Sequence, residues 1–172
     1  MNDTFLPGNG FDTYDEQDRV LMGLSGSVRS GVAVRILQQQ GFAVAAAVVR
    51  LADTPEEYAA AEAAKALAKK LDVECLARNA EALAGQDVDA ARFAALLTAA
   101  DKLGIQYVAS GHYARMETDT QGVSHLFPPE SGAPDESSRL AALSPEVLTR
   151  LILPLGDFAP EDVEDMAADF KL

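Results

Sequence analysis

Residues 20–42 read VLMGLSGSVRSGVAVRILQQQGF, and this stretch decides how the chain is expected to fold. An apolar run from Val20 to Leu24 is followed by a turn rich in glycine and serine, and the turn opens a helical pattern from Ser30 to Gln40. Gly41 is suited to end that helix, because glycine readily adopts the left-handed backbone of helix ends. The stretch therefore predicts a strand, a tight loop and a helix in succession.

The same alternation continues along the chain. Three further apolar strands are predicted at 42–49, 73–77 and 105–109. A helix is predicted over 54–70, and another along the face formed by Phe93, Leu96, Leu97, Ala100 and Leu103, ending at Gly104. Apolar strands alternating with helices are typical of a parallel sheet covered on both faces. The expected fold class is α/β, a twisted parallel sheet with helices on both faces.

The predicted sheet also indicates where a ligand would bind. Open sheets of this class bind ligands beyond the carboxyl ends of their strands. We therefore expect the loops at 24–30, 50–53 and 110–115 to surround one crevice.

Local signals set several helix boundaries. TPEE at 54–57 predicts a helix start, with Thr54 as the cap and Glu57 completing a capping box. A short hairpin followed by a flexible loop is predicted over 116–139. After this loop, Ser144 and Pro145 open a helix that Pro154 and Gly156 are expected to close. A last short helix is predicted over 159–170.

Length and composition limit the class of protein. The 172 residues suffice for one domain, which we expect over 18–172 after a flexible acidic lead-in at 1–17. The net charge is −13, from 14 basic and 27 acidic residues. Nucleic-acid backbones and membrane surfaces are anionic and would repel such a chain. We therefore expect no membrane partner, and no tRNA binding by this chain alone.

The sequence also indicates the cellular compartment of the protein. Cys75 is the single cysteine, which excludes an internal disulfide and a CxxC motif, and we expect it to be a buried core thiol. The N-terminus lacks the basic and apolar segments of a signal peptide. The longest apolar run, FAVAAAVV, has eight residues and is too short to span a bilayer. We expect a cytoplasmic protein.

The turn after the first strand has the composition of an anion site. Gly23 and Gly26 let the backbone approach a ligand closely, and Ser25, Ser27 and Ser30 offer hydroxyl groups. The following helix points free N–H groups at the loop, at its positive end. The loop matches neither GxxxxGK[ST] nor GxGxxG, so it is neither a Walker loop nor a dinucleotide loop.

Three stretches carry a resemblance to a known family. GLSGSVRSGVAVRILQQQGF (23–42) resembles the pyrophosphate loop, SGGxDS, of the ATP-pyrophosphatase (PP-loop) superfamily, and of its tRNA-specific 2-thiouridylases in particular. LGIQYVASGHYAR (103–115) and LSPEVLTRLILPLGDFAPEDVEDMA (143–167) are similar to later blocks of the same family. The resemblance covers about 18–170 and implies the adenine-nucleotide alpha-hydrolase type of fold.

The resemblance also implies a set of nucleotide- or phosphate-binding residues. The loop that would grip the phosphates comprises Gly23, Leu24, Ser25, Gly26, Ser27, Val28, Arg29 and Ser30. Val49 matches a position whose backbone lies at the adenine, and Gly111 matches a second nucleotide contact. His112 is either a further ligand contact or a hydrogen-bonded structural histidine. The implied ligand is ATP, AMP or phosphate alone, and the use of magnesium is left open.

The chain departs from the family's pattern at the loop itself. Ser27 replaces a glycine, and Arg29 replaces the aspartate, which changes the local charge by about two units. A metal there would lose a hard oxygen ligand, whereas a guanidinium pairs directly with phosphate. We therefore assign no metal ligands.

Further departures affect catalysis and tRNA binding. The stretch at 80–97 lacks the family's catalytic cysteine, and PDES (134–137) stands where the family has KDQS. The sequence ends where the family's tRNA-binding domains would begin. We therefore assign no catalytic residues.

Three hypotheses remain open from the sequence. The first is a degenerate nucleotide- or phosphate-binding domain that regulates or binds an unknown protein partner. The second is an ATP-dependent adenylating and sulfur-transfer enzyme that needs a partner chain. The third is a structural, homo-oligomeric assembly protein.

Overall fold

The computed structural model describes residues 18–83, 85–130 and 132–172, and it confirms the α/β class. A five-stranded parallel sheet has the order β3-β2-β1-β4-β7, and a separate antiparallel hairpin joins β5 to β6. The strands are β1 (Arg19–Gly23), β2 (Ala43–Arg50), β3 (Cys75–Asn79), β4 (Tyr107–Ala109), β5 (Arg115–Thr118), β6 (Ser124–Phe127) and β7 (Leu151–Ile152). The helices are α1 (Val28–Gln39), α2 (Pro55–Leu71), α3 (Val88–Leu103), α4 (Pro145–Arg150) and α5 (Pro160–Asp169). Short 3-10 turns lie at Glu81–Leu83 and Ser137–Leu140.

The central strand β1 divides the core into two layers. Val20 and Met22 are fully buried among residues of α1, α2 and α5, whereas Leu21 packs on the other face with residues of α3 and α4. Successive side chains of a strand point to opposite faces, so an apolar run of this kind requires helices on both sides. The strand direction then brings the loops after β1, β2 and β4 to one edge of the sheet.

Most element boundaries lie within two residues of those predicted. Helix α1 begins at Val28 rather than Ser30, because Ser27 is the N-cap and its side chain accepts a hydrogen bond from the Ser30 backbone. Gly104 ends α3 in the left-handed conformation, with φ of 68°, as the sequence predicts. The hairpin predicted after residue 115 is also present as β5 and β6.

The end of helix α4 was predicted wrongly. The helix stops at Arg150 instead of continuing to Pro154 and Gly156, and the next two residues form β7 beside β4. The Arg150 guanidinium donates hydrogen bonds to the backbone oxygens of Ile105 and Gln106, at 2.8 and 2.7 Å. These bonds fix the chain beside the start of β4, where it becomes extended and adds a fifth strand.

Two smaller predictions also need correction. Thr54 caps α2 as expected, but the Glu57 carboxylate accepts from the Leu51 backbone at 2.7 Å instead of completing a capping box. Cys75 begins β3 and is half-buried, since it lies at the margin of the core. Burial raises the pKa of its thiol.

Other expectations are limited by what the structure covers. The proposed lead-in at 1–17 lies outside the described residues. Among the helices that are described, none has the length and apolar character needed to cross a membrane.

Candidate functional site

A cleft of about 350 Å³ opens at the carboxyl ends of β1, β2 and β4. This is the edge where a parallel sheet of this class places its ligand. The lining residues are Gly23, Leu24, Ser25, Ser27, Arg29, Ser30, Ala47, Val48, Val49, Glu57, Ala60, Val88, Asp89, Arg92, Phe93, Leu96, Ser110, Gly111, His112 and Arg139. The cleft thus combines a polar region near the β1–α1 loop with an apolar region between β2, α2 and α3.

The loop between β1 and α1 is folded by short-range hydrogen bonds. The Ser25 and Ser27 hydroxyl oxygens lie 2.8 Å apart, and the Ser30 hydroxyl donates to the Ser27 carbonyl at 2.7 Å. Gly26 has φ of +84°, and a Cβ there would lie 2.9 Å from the Ala63 Cβ of α2. Glycine is therefore required both by the backbone conformation and by the close approach of α2.

Nine of the eleven predicted ligand-binding residues line this cleft. They are Gly23, Leu24, Ser25, Ser27, Arg29, Ser30, Val49, Gly111 and His112. Gly26 does not line it, because it faces α2, and neither does Val28, which is exposed on the first turn of α1. The structure brings the predicted residues together, and their contact with a ligand stays a prediction.

Arg29 reaches from the start of α1 toward the segment that precedes the second 3-10 turn. Its guanidinium lies 3.3 Å from the nearer oxygen of Glu136 and stacks over the Tyr113 ring, 4.6 Å from the ring centroid. About a third of the side chain remains exposed, at 34%. The cation is therefore held at the polar end of the cleft by an ion pair and a stacking contact, and its exposed part is accessible from the cleft.

A chain of charged and polar groups continues from Arg29 around the cleft. Glu136 also accepts from the Tyr113 backbone at 2.7 Å and lies 3.5 Å from Arg139. Arg139 in turn contacts Asp89 at 3.2 Å. The polar wall of the cleft is thus one network that joins four separate parts of the sequence.

His112 lies at the end of this network. Its Nδ1 is 2.7 Å from the Ser110 hydroxyl oxygen, and its Nε2 is 3.5 Å from Asp89. Burial lowers the pKa of His112, and Arg139 lowers it further, although Asp89 acts in the opposite direction. His112 is therefore a neutral, hydrogen-bonded histidine at neutral pH, whose ring also lies 6.1 Å from that of Phe93.

A second ion pair lies at the opposite end of the cleft. Arg92 of α3 donates to the Val49 carbonyl and pairs with Glu57 of α2 at 3.1 Å. Burial raises the pKa of the Glu57 carboxyl, but the hydrogen bond from Leu51 and the charge of Arg92 outweigh burial and lower it. The pair is therefore ionised at neutral pH and is tied to the β2 backbone on both sides.

Neither residue of this pair is predicted from the sequence to lie at the site. Glu57 is predicted only to complete the capping box of α2, and Arg92 lies 35 residues further along the chain in a helix identified by its apolar face. The available signal is a polar residue near the start of α3, a helix that begins near the end of a parallel sheet. Asp89 and Arg139 were missed for the same reason.

Clusters of metal-ligating side chains were sought among the described residues. Within 18–83, 85–130 and 132–172, no three histidine, cysteine, aspartate or glutamate side chains are grouped to hold a metal ion. At the loop itself, Arg29 places a positive charge where the family pattern has a carboxylate. The residues present therefore suit an anion better than a loop-bound cation.

Comparison with known proteins agrees with the fold. The family model described as "tRNA methyl transferase HUP domain" matches residues 89–172. A tRNA-specific 2-thiouridylase MnmA from Yersinia pestis (strain Pestoides F) is 32% identical over 186 aligned residues, covering 92% of this chain and 50% of that protein. Its counterpart from Streptococcus thermophilus (strain ATCC BAA-491 / LMD-9) is 28% identical, covering 90% of this chain and 49% of the relative. The chain thus spans about half the length of these relatives.

Solved structures show the same fold. The U34-tRNA thiolase NcsA from Methanococcus maripaludis, solved with its [4Fe-4S] cluster, superposes with a TM-score of 0.61 at 15% identity, covering 90% of this chain and 57% of that one. A predicted subunit of tRNA methyltransferase from Methanocaldococcus jannaschii superposes with a TM-score of 0.51, also at 15% identity, covering 88% and 74%. At this identity the likeness concerns the fold alone.

Sequence and structure therefore lead to one assignment. The strand order, the loop after the central strand and the identity over nine-tenths of the chain all agree with the resemblance seen in the sequence. These findings support a place in the PP-loop ATPase superfamily, with similarity to the N-terminal domain of the tRNA 2-thiouridylases.

Proposed function

We propose that this domain binds an adenine nucleotide by its phosphates and does not thiolate tRNA by itself. In this function the α1 N-terminus and the loop hydroxyls hold the phosphate groups, and Arg29 supplies the positive charge. The domain then acts as a binding or regulatory module for a protein partner. ATP and AMP are the ligands we expect, with phosphate alone as the minimal ligand.

The position of Arg29 is the observation that carries this proposal. A guanidinium lies beside the N-terminus of α1, in a cleft at the carboxyl end of the sheet, although the chain as a whole has a net charge of −13. A helix N-terminus and a guanidinium both favour an anion. The same substitution removes the carboxylate that a loop-bound magnesium ion would need.

Calorimetric titration with ATP, ADP, AMP and inorganic phosphate tests the proposal. We expect at least one adenine nucleotide to bind, and a thermal-shift assay to show that it stabilises the fold. If none of the four ligands gives heat or a shift in Tm, the nucleotide-binding function is wrong.

A second function is favoured by the identity with complete enzymes. The chain is 32% identical to a tRNA-specific 2-thiouridylase over nine-tenths of its length, and Ser25, Gly26 and Ser30 of the loop match the family's pattern. In this alternative the domain adenylates a substrate with release of pyrophosphate, and a partner chain provides the cysteine and the tRNA-binding surface.

Pyrophosphate release discriminates between the two functions. Under the first proposal, ATP is not turned over by the domain, with or without candidate partner chains and tRNA. Partner-dependent release of pyrophosphate, increased in an Arg29→Asp variant, would favour the enzyme instead.

A further inference from the structure

Two backbone groups at the end of β2 are already engaged by side chains. Arg92 donates a hydrogen bond to the carbonyl of Val49, and Glu57 accepts one from the N–H of Leu51 at 2.7 Å. A carbonyl and an N–H two residues apart on an extended strand are a natural means of reading the edge of a base. Here the Leu51 N–H is already donated to Glu57, and the Val49 carbonyl already accepts one bond from Arg92.

The two side chains that bond to these backbone groups come from different helices and face the cleft. Glu57 belongs to α2 and Arg92 to α3, and both line the cavity. Arg92 Nη2 lies 3.3 and 3.1 Å from the two carboxylate oxygens of Glu57, and 38% of the Arg92 side chain is exposed. Glu57 Oε2 receives only this bond among the contacts described, so it keeps acceptor capacity.

The walls between this pair and the phosphate loop are apolar. Val48, Ala60, Phe93 and Leu96 line this part of the cleft. A heteroaromatic base needs apolar walls along its faces and donors and acceptors at its edge. The Glu57–Arg92 end of the cleft offers both, and the Arg29 end offers groups for phosphate.

We propose that Glu57 and Arg92 form the base-selecting pair of the nucleotide site. Glu57 Oε2 accepts a hydrogen bond from the exocyclic amino group of adenine, and the Arg92 guanidinium donates to a neighbouring ring nitrogen. The Leu51 N–H takes no part, because Glu57 already accepts its hydrogen bond. This inference rests on the proposed nucleotide-binding function, since it assigns the base end of the same cleft.

Calorimetry with three ligands tests it: AMP, purine riboside 5′-monophosphate, which lacks the amino group, and pyrophosphate, which lacks the base. We expect the unaltered protein to prefer AMP over the purine analogue by about tenfold, the worth of one hydrogen bond to a charged group. In Glu57→Gln this preference falls to about threefold or less, because a neutral acceptor forms roughly half as strong a bond. Pyrophosphate affinity stays unchanged.

Glu62→Gln is the matched control. Glu62 lies on the same helix, is 74% exposed and pairs only with Lys65 among the contacts described, so all three affinities should equal those of the unaltered protein. If AMP binds and Glu57→Gln keeps the full preference, the base-selecting role is wrong while nucleotide binding stands. If no nucleotide binds, the proposed function itself is wrong and this inference falls with it.

A second variant decides the matter if Glu57→Gln does not fold. Arg92→Lys keeps the charge but loses the planar group that reaches Val49 and Glu57 together. We expect AMP affinity to fall about tenfold with pyrophosphate affinity unchanged, since one charge-assisted hydrogen bond is lost. Unchanged AMP affinity in this variant would overturn the inference.

Discussion

The two ends of the cleft are built in different ways. At the loop end, the polar groups are backbone N–H groups and serine hydroxyls from one short stretch, with Arg29 held by contacts of 3.3 Å or more. At the β2 end, Arg92 and Glu57 are bonded both to each other and to the strand backbone. The loop end, which we propose as the anion site, is thus adaptable, whereas the β2 end is preorganised. A ligand would gain its charge interactions at the first end and its selectivity at the second.

We expect the largest effect on ligand affinity from replacing Arg29, the cation at the loop end. Arg29→Gln should weaken ATP and pyrophosphate binding about 10- to 100-fold, because charge-assisted hydrogen bonds to phosphate are lost. Calorimetry on the variant measures the change. Arg35→Gln is the control, since Arg35 lies on the same helix but bonds to Gln38 and the Leu71 carbonyl. Equal ATP affinity in the Arg29 variant and the unaltered protein would mean that the loop end does not hold the phosphates.

This contrast also explains what the sequence could predict. The loop end is encoded within 20–42, where a strand, a cap and a helix start follow one another, so local pattern was sufficient. The Glu57–Arg92 pair joins residues 35 positions apart and depends on how α2 and α3 pack, which no local pattern specifies. Likewise, the two-residue β7 was missed because its pairing depends on Arg150 bonding to the start of β4.

The next effect concerns the backbone that shapes the loop. Gly26→Ala should destabilise the protein by about 2 kcal/mol, because it adds left-handed strain and a Cβ only 2.9 Å from that of Ala63. Gly122→Ala has almost the same φ, +82°, with nothing within 4 Å, and should cost only about 1 kcal/mol. Urea unfolding of both variants measures the difference. Equal losses would show that α2 does not constrain the loop.

A smaller effect is expected from the carboxylate that holds Arg29. Glu136→Gln should raise pyrophosphate affinity about threefold, because it removes a partly exposed ion pair that competes with the ligand. The amide oxygen can still accept from the Tyr113 backbone, which the carboxylate does at 2.7 Å. Glu130→Gln, at a 69% exposed side chain near Arg115, is the control. A decrease in affinity would indicate that Glu136 positions Arg29 instead of competing for it.

The smallest effect is a change of stability with pH. Because burial lowers the pKa of His112, the unfolded chain binds this proton more readily than the folded one. The contribution of His112 to stability is therefore complete above the ordinary histidine pKa of about 6.5 and is lost as the pH falls through it. Urea unfolding between pH 7.5 and 5.5 should show a steeper loss for the unaltered protein than for His112→Gln. Identical slopes would contradict a neutral, buried His112.

The central claim is that Arg29 has replaced a metal-dependent phosphate site with a metal-independent one. Calorimetric titration of ATP, with magnesium and with EDTA, into the unaltered protein and into Arg29→Asp tests this most directly. We predict that the unaltered protein binds ATP at least as tightly in EDTA as in magnesium, and that Arg29→Asp binds ATP only when magnesium is present. Binding by the unaltered protein that requires magnesium, or no binding under either condition, would contradict the account.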